Sequence, residues 1–340
     1  MIEKFIVDRD DAVYEAWPDL AMTENGSYIC VFTECTAHGN RTNSRLVLKY
    51  STDKGINWSG KRPLTEYTGP HVYYNCARIF RMKNGEICIL CDKAFDGHPE
   101  LCELWLWIGD KEGRKFGEPK KLPLAGIVPD KLLELKNGRQ IVSAHTDIGG
   151  RLVQRAIYSD DGGETWSAPV IVGQDPGYNL CEASLIETET GEIVAFMREN
   201  SSLGIDCLKS ISYDGGESFQ GLYRVPIPAC HRPVAGYVDK DTVMITHRYM
   251  QGGAGWLGNW TQNVFAAFLP ANCLLETERN KQSCRIYPLD YDRSLVSDLG
   301  YTGWVKDEYG IYVVNYIVDD APKAHIRGYR FTLNDVLIKR

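Results

Sequence analysis

Six times along the chain, an apolar run is followed by a short polar turn and then by a second apolar run. The turns lie at Asn25-Gly26, Asn84-Gly85, Asn137-Gly138, Thr190-Gly191, near Lys240-Asp241 and near Tyr309-Gly310. Short turns of this composition between apolar runs are typical of β-hairpins, and Asn-Gly is the strongest such signal. Each hairpin is followed by two more strand-like runs, and helical periodicity is nearly absent. The pattern therefore predicts six four-stranded antiparallel sheets.

A second repeat is a polar stretch that fits Ser-x-Asp-x-Gly-x-x-aromatic. Its three copies run over Ser51–Trp58, Ser159–Trp166 and Ser212–Phe219. A fourth stretch, "IGDKEGRKFG", keeps the Gly-to-aromatic spacing but has Lys111 in the Asp position. Asp and Ser side chains bond nearby backbone N–H groups and Gly supplies positive φ, so each copy is predicted to be a hairpin turn between outer strands. We expect the closing aromatic side chain to be buried against its own sheet, and the Asp to be structural rather than catalytic.

Together, the two repeats predict an all-β fold, a six-bladed β-propeller of four-stranded antiparallel blades, as one domain over residues 1–340. The N-terminal stretch "EKFIVD" is a spare strand that would pair with "IRGYRF" in the last blade. That pairing would close the ring and remove its open edges. Residues 270–294 are expected to elaborate the fifth blade.

Composition narrows the classes of function. The formal net charge of −7 disfavours a nucleic-acid partner, and no run of 18 apolar residues predicts a membrane span. The first residues lack the basic and apolar regions of a signal peptide. Many of the 11 cysteines lie inside apolar runs, which is typical of reduced core thiols, so we expect a cytoplasmic protein. The Cys88-x-x-Cys91 pair has no second pair at zinc spacing, and no metal or cofactor is predicted.

Charged and aromatic side chains recur where the chain would approach the propeller axis. If each blade's strands are called A to D from the axis outwards, the starts of the A strands and the ends of the B strands meet at one face, opposite the polar turns. The A-strand starts carry Trp17 with Asp19, Arg78, Asp130, Glu182, Arg232 and Tyr301. The B-strand ends carry Glu34, Asp92, His145, Arg198, His247 with Arg248, and Tyr316. Charges that abut core strands are costly unless they are paired or used, so we expect a functional pocket there.

In these features the sequence resembles the sialidase superfamily. The polar turns are similar to that family's Asp boxes, or BNR repeats, which favour the fold more than an activity. The segment "NLCEASLIETETGEIVAFMREN" is more specific. It resembles the sialidase hairpin that begins with a Glu and ends with an Arg. The resemblance implies that Glu182 activates the nucleophile, that Tyr301 in "DLGYTGWVKDEYG" is that nucleophile, and that Arg198 binds the substrate carboxylate. A second such arginine would be Arg248, with Arg232 as the competing choice.

Two departures from the family pattern change the expected site. The stretch "EAWPDL" has Trp17 where sialidases carry their first arginine, and the loop "TECTAHGNRTNSR" has no Asp to serve as the acid. Candidates for that acid are Glu34, which directly follows "CVFT" at a strand end, and the loop residue His38. Glu34 is favoured because a strand end fixes it better, and Asp92 on the next blade is a reserve.

The resemblance therefore predicts a retaining exo-glycosidase whose partner is a small glycoside or oligosaccharide, with an acidic terminal sugar favoured. Arg198, Arg248, Arg232 and Arg78 are expected to converge on the pocket, with Asp130, His145, Trp17 and His38 also binding substrate. Two alternatives stay open: a glycosidase that uses two carboxylates on a neutral sugar, and a non-catalytic sugar-binding propeller. A lyase or isomerase with His145 or His247 as base is a weaker possibility.

Overall fold

The computed structural model describes residues 2–98, 101–251 and 261–336, which form 25 β-strands in six sheets. The first strand, β1 (Glu3–Asp8), precedes the first blade. The first three blades contain, in order, β2 (Tyr14–Met22), β3 (Tyr28–Cys35), β4 (Arg45–Ser51) and β5 (Arg62–Pro63); β6 (Val72–Tyr74), β7 (Arg78–Arg81), β8 (Ile87–Phe95), β9 (Glu103–Ile108) and β10 (Lys120–Leu122); and β11 (Leu133–Glu134), β12 (Gln140–Asp147), β13 (Leu152–Ser159) and β14 (Val170–Gly173). In the second blade both β6 and β7 pair with β8.

The last three blades are more regular. They contain β15 (Leu180–Glu187), β16 (Ile193–Glu199), β17 (Asp206–Ser212) and β18 (Gln220–Pro228); β19 (Cys230–Asp239), β20 (Thr242–Gln251), β21 (Thr261–Pro270) and β22 (Arg285–Tyr291); and β23 (Leu299–Asp307), β24 (Gly310–Ile317) and β25 (His325–Phe331). Two 3₁₀ turns, Ala271–Cys273 and Arg279–Lys281, lie between β21 and β22, which is the elaboration expected in the fifth blade. A short helix, α1 (Leu333–Val336), follows β25.

The predicted six-bladed β-propeller is confirmed. Five sheets follow the chain in order, and the sixth has the order β1-β25-β24-β23. The N-terminal strand thus pairs antiparallel with β25, with Glu3 opposite Arg330, as the sequence predicted. This pairing covers the edge that β25 would otherwise expose. Among the described residues, no helix has the length and apolarity needed to cross a bilayer.

Among the described residues, the buried apolar side chains form six clusters, and five of these lie between two neighbouring blades, while the sixth joins the first and last blades and extends to the axis. Ile79 of the second blade packs with Leu46 of the first, for example, and Val243 of the fifth packs with Phe196 of the fourth. Tyr312 of the last blade shares a cluster with Phe32 of the first. The core is therefore a ring of interfaces, because each sheet buries both of its faces against neighbours.

The three Asp boxes form the predicted turns between the third and fourth strands of their blades. In the second copy, Asp161 Oδ1 accepts hydrogen bonds from the backbone of Glu164 (3.1 Å) and Thr165 (2.9 Å), while Ser159 Oγ accepts one from Gly163 N (2.9 Å). The first and third boxes repeat this arrangement. In the degenerate copy, Asp110 accepts from Arg114 N (2.7 Å), so a neighbouring carboxylate supplies the missing bond.

The aromatic residues of the boxes are only half-buried, which corrects the expectation of full burial within their own blade. Trp166 of the third blade packs against a cluster that includes Phe80 and Leu106 of the second blade. Trp58 of the first blade lies 6.3 Å from the ring of Tyr312 in the sixth. Each of these side chains therefore joins its blade to the preceding one while staying partly exposed.

Replacing Trp166 by Ala is expected to lower the free energy of unfolding by about 2–3 kcal/mol. Removing a fully buried Trp costs about 3–5 kcal/mol, and this indole is half-exposed. The change also removes the hydrogen bond from Nε1 to Gly163 O (3.2 Å). Urea unfolding measures the effect, and Tyr309→Ala, at an exposed turn of the last blade, serves as a control that should change stability by less than about 0.5 kcal/mol. An unchanged unfolding midpoint in the Trp166 variant would contradict the structural role.

Candidate functional site

A recurring irregularity of the innermost strands turns side chains toward the propeller axis. The pairing register shifts between Ala16 and Asp19 in β2, and corresponding shifts occur in β15, β19 and β23. Three of these bulges contain a residue with positive φ: Trp17 (53°), Glu182 (50°) and Arg232 (52°). Bulges re-aim side chains, and left-handed non-glycine residues are rare enough to mark a functional constraint.

The fourth bulge contains Gly300 (φ 107°) directly before Tyr301. A Cβ at residue 300 would collide with the Cβ of Arg248, so only glycine allows β23 to approach β20 this closely. The guanidinium of Arg248 consequently lies 4.7 Å from the centre of the Tyr301 ring.

These side chains surround a cavity of about 170 Å³ at the axis. Its lining combines seven of the predicted site residues with several that were not predicted to bind substrate. The predicted ones are Trp17, His38, His145, Glu182, Arg198, Arg248 and Tyr301. The others include Arg41, Asn75, Cys76, Val128, Cys181 and Asn200. The volume lies below the roughly 300–1,000 Å³ typical of drug-sized ligands, so the cavity suits a single small ring.

At the base of the cavity, Tyr301, Glu182 and Arg198 form one hydrogen-bonded group. The hydroxyl of Tyr301 donates a short hydrogen bond to Glu182 Oε1, and Arg198 Nη1 donates to the same oxygen (2.9 Å). Burial would raise the pKa of Glu182, but the charges of Arg198 and Arg248 help to lower it to about 2. Burial and then the Glu182 carboxylate raise the pKa of Tyr301. The pair is therefore a neutral phenol that points its proton at an ionised carboxylate.

Three arginines line the cavity from three different blades: Arg198, Arg248 and Arg41. Arg248 Nη1 donates to Gln262 Oε1 (3.1 Å). Arg41 comes from the loop after β3, where its guanidinium lies 4.7 Å from the centre of the Trp17 ring and Nη1 donates to Asn75 (2.5 Å). Arg41 thus brings positive charge to the position where Trp17 replaces the family's first arginine.

Arg232 and His145 flank this group. The guanidinium of Arg232 lies 5.8 Å from the Tyr301 ring, and its Nη2 donates to Pro129 O (2.8 Å). His145 Nδ1 accepts from the backbone N–H of Glu182 (3.4 Å), which puts the ring proton on Nε2 in the neutral form. Burial lowers the pKa of His145 to about 4, so this ring is neutral at physiological pH.

His38 also lines the cavity and belongs to a second network that is centred on Asp298. His38 Nδ1 lies 2.9 Å from Asp298 Oδ2, and Tyr316 donates to Asp298 Oδ1 (3.0 Å). Tyr14 also donates to this carboxylate. The Trp17 ring packs edge-on against the imidazole at 5.2 Å between ring centres. Asp298 was not predicted, although it stands three residues before Tyr301.

Glu34 lies outside the cavity, which corrects the location expected from the sequence. Its carboxylate accepts hydrogen bonds from Arg45 Nε (2.6 Å) and Lys61 Nζ (2.6 Å), in an ionic cluster that includes the neighbouring Glu15. The physical reason is strand alternation: Thr33, one residue earlier, bonds to Asn75 O of the next blade, so Glu34 projects to the other face of the sheet.

Two further predicted carboxylates have structural partners instead of lining the cavity. Asp92 is completely buried and accepts from Asn75 Nδ2 (2.9 Å) and Cys76 N (3.1 Å), so it orients two lining residues. Asp130 Oδ2 accepts from the backbone N–H of Leu185 in the next blade (2.8 Å). Asp19 makes the same kind of inter-blade bond, to Ile79 N (2.8 Å).

Arg78 also departs from the expected cluster. It is buried beside Asp130 in a separate cavity that Trp304 lines as well, and its Nη1 donates to Thr302 O (3.0 Å). Of the four arginines expected to converge, Arg198 and Arg248 line the central cavity, Arg232 flanks Tyr301, and Arg78 lies elsewhere. Arg41 is the third arginine of the cavity lining. The sequence indicated only that it lies in the loop that lacks an Asp.

Comparison with known proteins supports this assignment of the fold. Residues 79–247 match the model of the BNR repeat-like domain. A Dyadobacter fermentans protein of unknown function has a similar structure, with 20% identity and a TM-score of 0.77 over 96% of this chain and 98% of that one. A Trypanosoma rangeli sialidase in complex with sialic acid has 14% identity and a TM-score of 0.66 over 96% of this chain. A Hadza microbial sialidase has 16% identity and a TM-score of 0.65 over 95%.

The match covers only 57% of the trypanosomal sialidase chain and 66% of the Hadza one, and no curated protein matches the sequence. The protein is therefore a six-bladed β-propeller with the sialidase fold. Its residues 79–247 match the BNR repeat-like domain model, and the resemblance to the sialidase superfamily is confirmed at the level of fold and repeats.

Proposed function

We propose that this protein is a retaining exo-glycosidase that cleaves a terminal acidic sugar from a small glycoside or oligosaccharide, with Tyr301 as the nucleophile and Glu182 as its base. The observation that carries the proposal is the hydrogen bond from the Tyr301 hydroxyl to an ionised, buried Glu182 carboxylate at the base of a one-ring cavity. A nucleophile bonded to a base that a third group orients is the usual signature of covalent catalysis. Arg198 is that third group.

The proposed first step conserves atoms and charge. Tyr301 Oη attacks the anomeric carbon while its proton passes to Glu182, and the bond from that carbon to the leaving oxygen breaks as an acid protonates the oxygen. In the second step the conjugate base of that acid takes a proton from water as the water oxygen attacks the anomeric carbon, the bond to Tyr301 breaks, and Glu182 returns its proton to the phenol. Two displacements give net retention, and tyrosine is a known exception to the two-carboxylate rule.

The charge around the cavity supports an acidic sugar. Arg41, Arg198 and Arg248 line the cavity, whereas Glu182 is the only Asp or Glu among its described lining residues. Arg198 Nε and Arg248 Nε are buried and have no hydrogen-bond partner among the described residues. Guanidinium groups donate paired bonds to carboxylates, and a substrate carboxylate would satisfy such donors. A neutral phenol also avoids the repulsion that a carboxylate nucleophile would feel from this substrate.

The charged residues of the cavity also disfavour the alternative in which two carboxylates act on a neutral sugar. Glu34, Asp92 and Asp130 each have other partners and do not line the cavity, so none of these three predicted carboxylates is placed to act with Glu182. His247 is also buried outside the central cavity, and its Nδ1 lies 3.2 Å from Arg248 O. The experiment must also distinguish this glycosidase from a non-catalytic sugar-binding propeller.

The test is a panel of 4-methylumbelliferyl glycosides that contains sialic acid, other acidic sugars and neutral sugars. We expect turnover of an acidic member, with the sugar first released in the configuration of the substrate by NMR. The matching 2,3-difluoro sugar should label Tyr301, as seen by peptide mass spectrometry. Turnover of neutral members alone would overturn the acidic-sugar assignment. Binding without turnover across the panel would establish a lectin-like role.

A further inference from the structure

We propose that His38, oriented by Asp298, is the general acid and base of this glycosidase, in place of the Asp that the loop after β3 lacks. This inference rests on the proposed function, because it assigns the proton donor for the same cavity. Glycoside cleavage needs a proton for the leaving oxygen, and the residues expected to supply it from the sequence, Glu34 and Asp92, have structural partners elsewhere.

The geometry fixes the roles of the two ring nitrogens. Asp298 Oδ2 lies 2.9 Å from His38 Nδ1, and Tyr14 Oη lies 2.9 Å from the same nitrogen, so Nδ1 belongs to the Asp298 network and we assign proton transfer to Nε2. Asp298 is itself held by the hydroxyls of Tyr14 and Tyr316 and by its own backbone N–H, which donates to Asp292 (2.9 Å). A buried carboxylate on one nitrogen stabilises the imidazolium and fixes the ring, so Asp298 is a positioning residue.

The other titratable groups of the cavity suit the role less well. His145 bonds the backbone of Glu182, so it belongs to the nucleophile's side of the cavity. Burial raises the pKa of both Cys76 and Cys181, which keeps their thiols neutral, and neither thiol has an orienting carboxylate among its described hydrogen bonds. Among the described cavity residues that are not part of the Tyr301–Glu182–Arg198 group, His38 combines a cavity position with a hydrogen-bonded carboxylate.

The pH dependence follows from the groups around the imidazole. Burial lowers the pKa of His38 below its ordinary 6.5, and Asp298 opposes that shift. The positive charges of Arg41 and Arg248 lower it further, while Tyr14 and Tyr316 contact the Asp298 carboxylate as neutral phenols. Because the acid is the protonated ring, cleavage of poor leaving groups is strongest below this pKa and declines as pH rises through it.

The proposed proton transfers balance. In the first step Nε2–H of the imidazolium gives its proton to the glycosidic oxygen as the bond to the anomeric carbon breaks, which leaves a neutral ring. In the second step the lone pair on Nε2 takes a proton from water as the water oxygen bonds to the anomeric carbon, and the imidazolium is restored. The sum of the two steps is hydrolysis with no other reactant.

The test compares His38→Gln, Asp298→Asn and, as the matched control, Glu34→Gln. The probes are the 4-methylumbelliferyl and methyl glycosides of the acidic sugar that the wild-type enzyme cleaves. We expect His38→Gln to lower kcat/KM for the methyl glycoside by about 10²–10⁴-fold and for the aryl glycoside by less than about tenfold, since an activated leaving group needs little protonation. Azide should accelerate the variant on the aryl glycoside by forming the glycosyl azide, because azide needs no base.

Asp298→Asn should shift the high-pH decline of kcat/KM on the methyl glycoside to lower pH, which a purely structural role would not do. Glu34→Gln should leave the ratio between the two probes unchanged. An equal loss on both probes in His38→Gln, or selective loss in Glu34→Gln, would overturn the proposal while turnover through Tyr301 stands. If His38→Gln does not fold, an unmoved pH limb in Asp298→Asn overturns it. If the wild-type enzyme cleaves no panel member, the proposed function fails and this inference fails with it.

Discussion

Replacing Tyr301 by Phe is expected to lower kcat/KM on an aryl glycoside of an acidic sugar by about 10³-fold or more. The variant keeps the ring that packs under Arg248 but removes the oxygen that would form the covalent bond, and loss of a nucleophile is among the largest single effects in enzymes. The fold should tolerate the change, because Arg198 still pairs with the Glu182 carboxylate. Initial-rate kinetics and a thermal unfolding scan measure the two effects separately.

Tyr312→Phe is the matched control for this variant. Tyr312 is also buried, but its hydroxyl donates to Gly55 O (2.8 Å) in an Asp box on the face away from the cavity. We expect it to change stability and to leave kcat/KM within about twofold of the wild-type value. Activity of Tyr301→Phe close to that of the wild-type protein would eliminate the phenol as nucleophile, whatever the substrate.

Replacing Arg248 by Lys should lower kcat/KM for an acidic aryl glycoside by about 10²-fold, chiefly through KM. Lysine keeps the charge but cannot donate the two parallel hydrogen bonds of a guanidinium, and a hydrogen bond to a charged group contributes about 1.5–3 kcal/mol. The sharper measurement is the ratio of kcat/KM between the acid and its neutral carboxamide analogue. That ratio should fall by about the same factor, since the carboxamide gains little from the guanidinium.

Arg139→Lys provides the control for charge-preserving substitution. Arg139 is bonded to Asp160 (2.7 Å) and Glu217 (3.0 Å) at the turns of the opposite face, so its replacement should leave the acid-to-amide ratio unchanged. If Arg248→Lys also leaves the ratio unchanged, the carboxylate of the sugar is not what Arg248 recognises, and the acidic-sugar assignment loses its main support.

The sequence by itself determined the repeat, the blade count and the closure of the ring. Those features depend on local rules, since Asn-Gly turns, alternating apolar runs and Asp boxes act over a few neighbouring residues. For the same reason the hairpin that begins near Glu182 and ends at Arg198 could be recognised as a unit, and its pairing with Tyr301 followed from family resemblance. The turn at Asp110 shows that a box can keep its bond when the motif is degenerate.

What only the tertiary structure decided was the direction in which each side chain points. Glu34 and Thr33 are adjacent in sequence, yet strand alternation sends the carboxylate into an ionic cluster with Arg45 and away from the axis. Bulges with positive φ turn Glu182 inward, and no local sequence pattern gives their register. Asp298 and His38 lie 260 residues apart, so their pairing exists only once the last blade closes on the first. Long-range contacts of this kind carry no local signature, because they are properties of the closed ring.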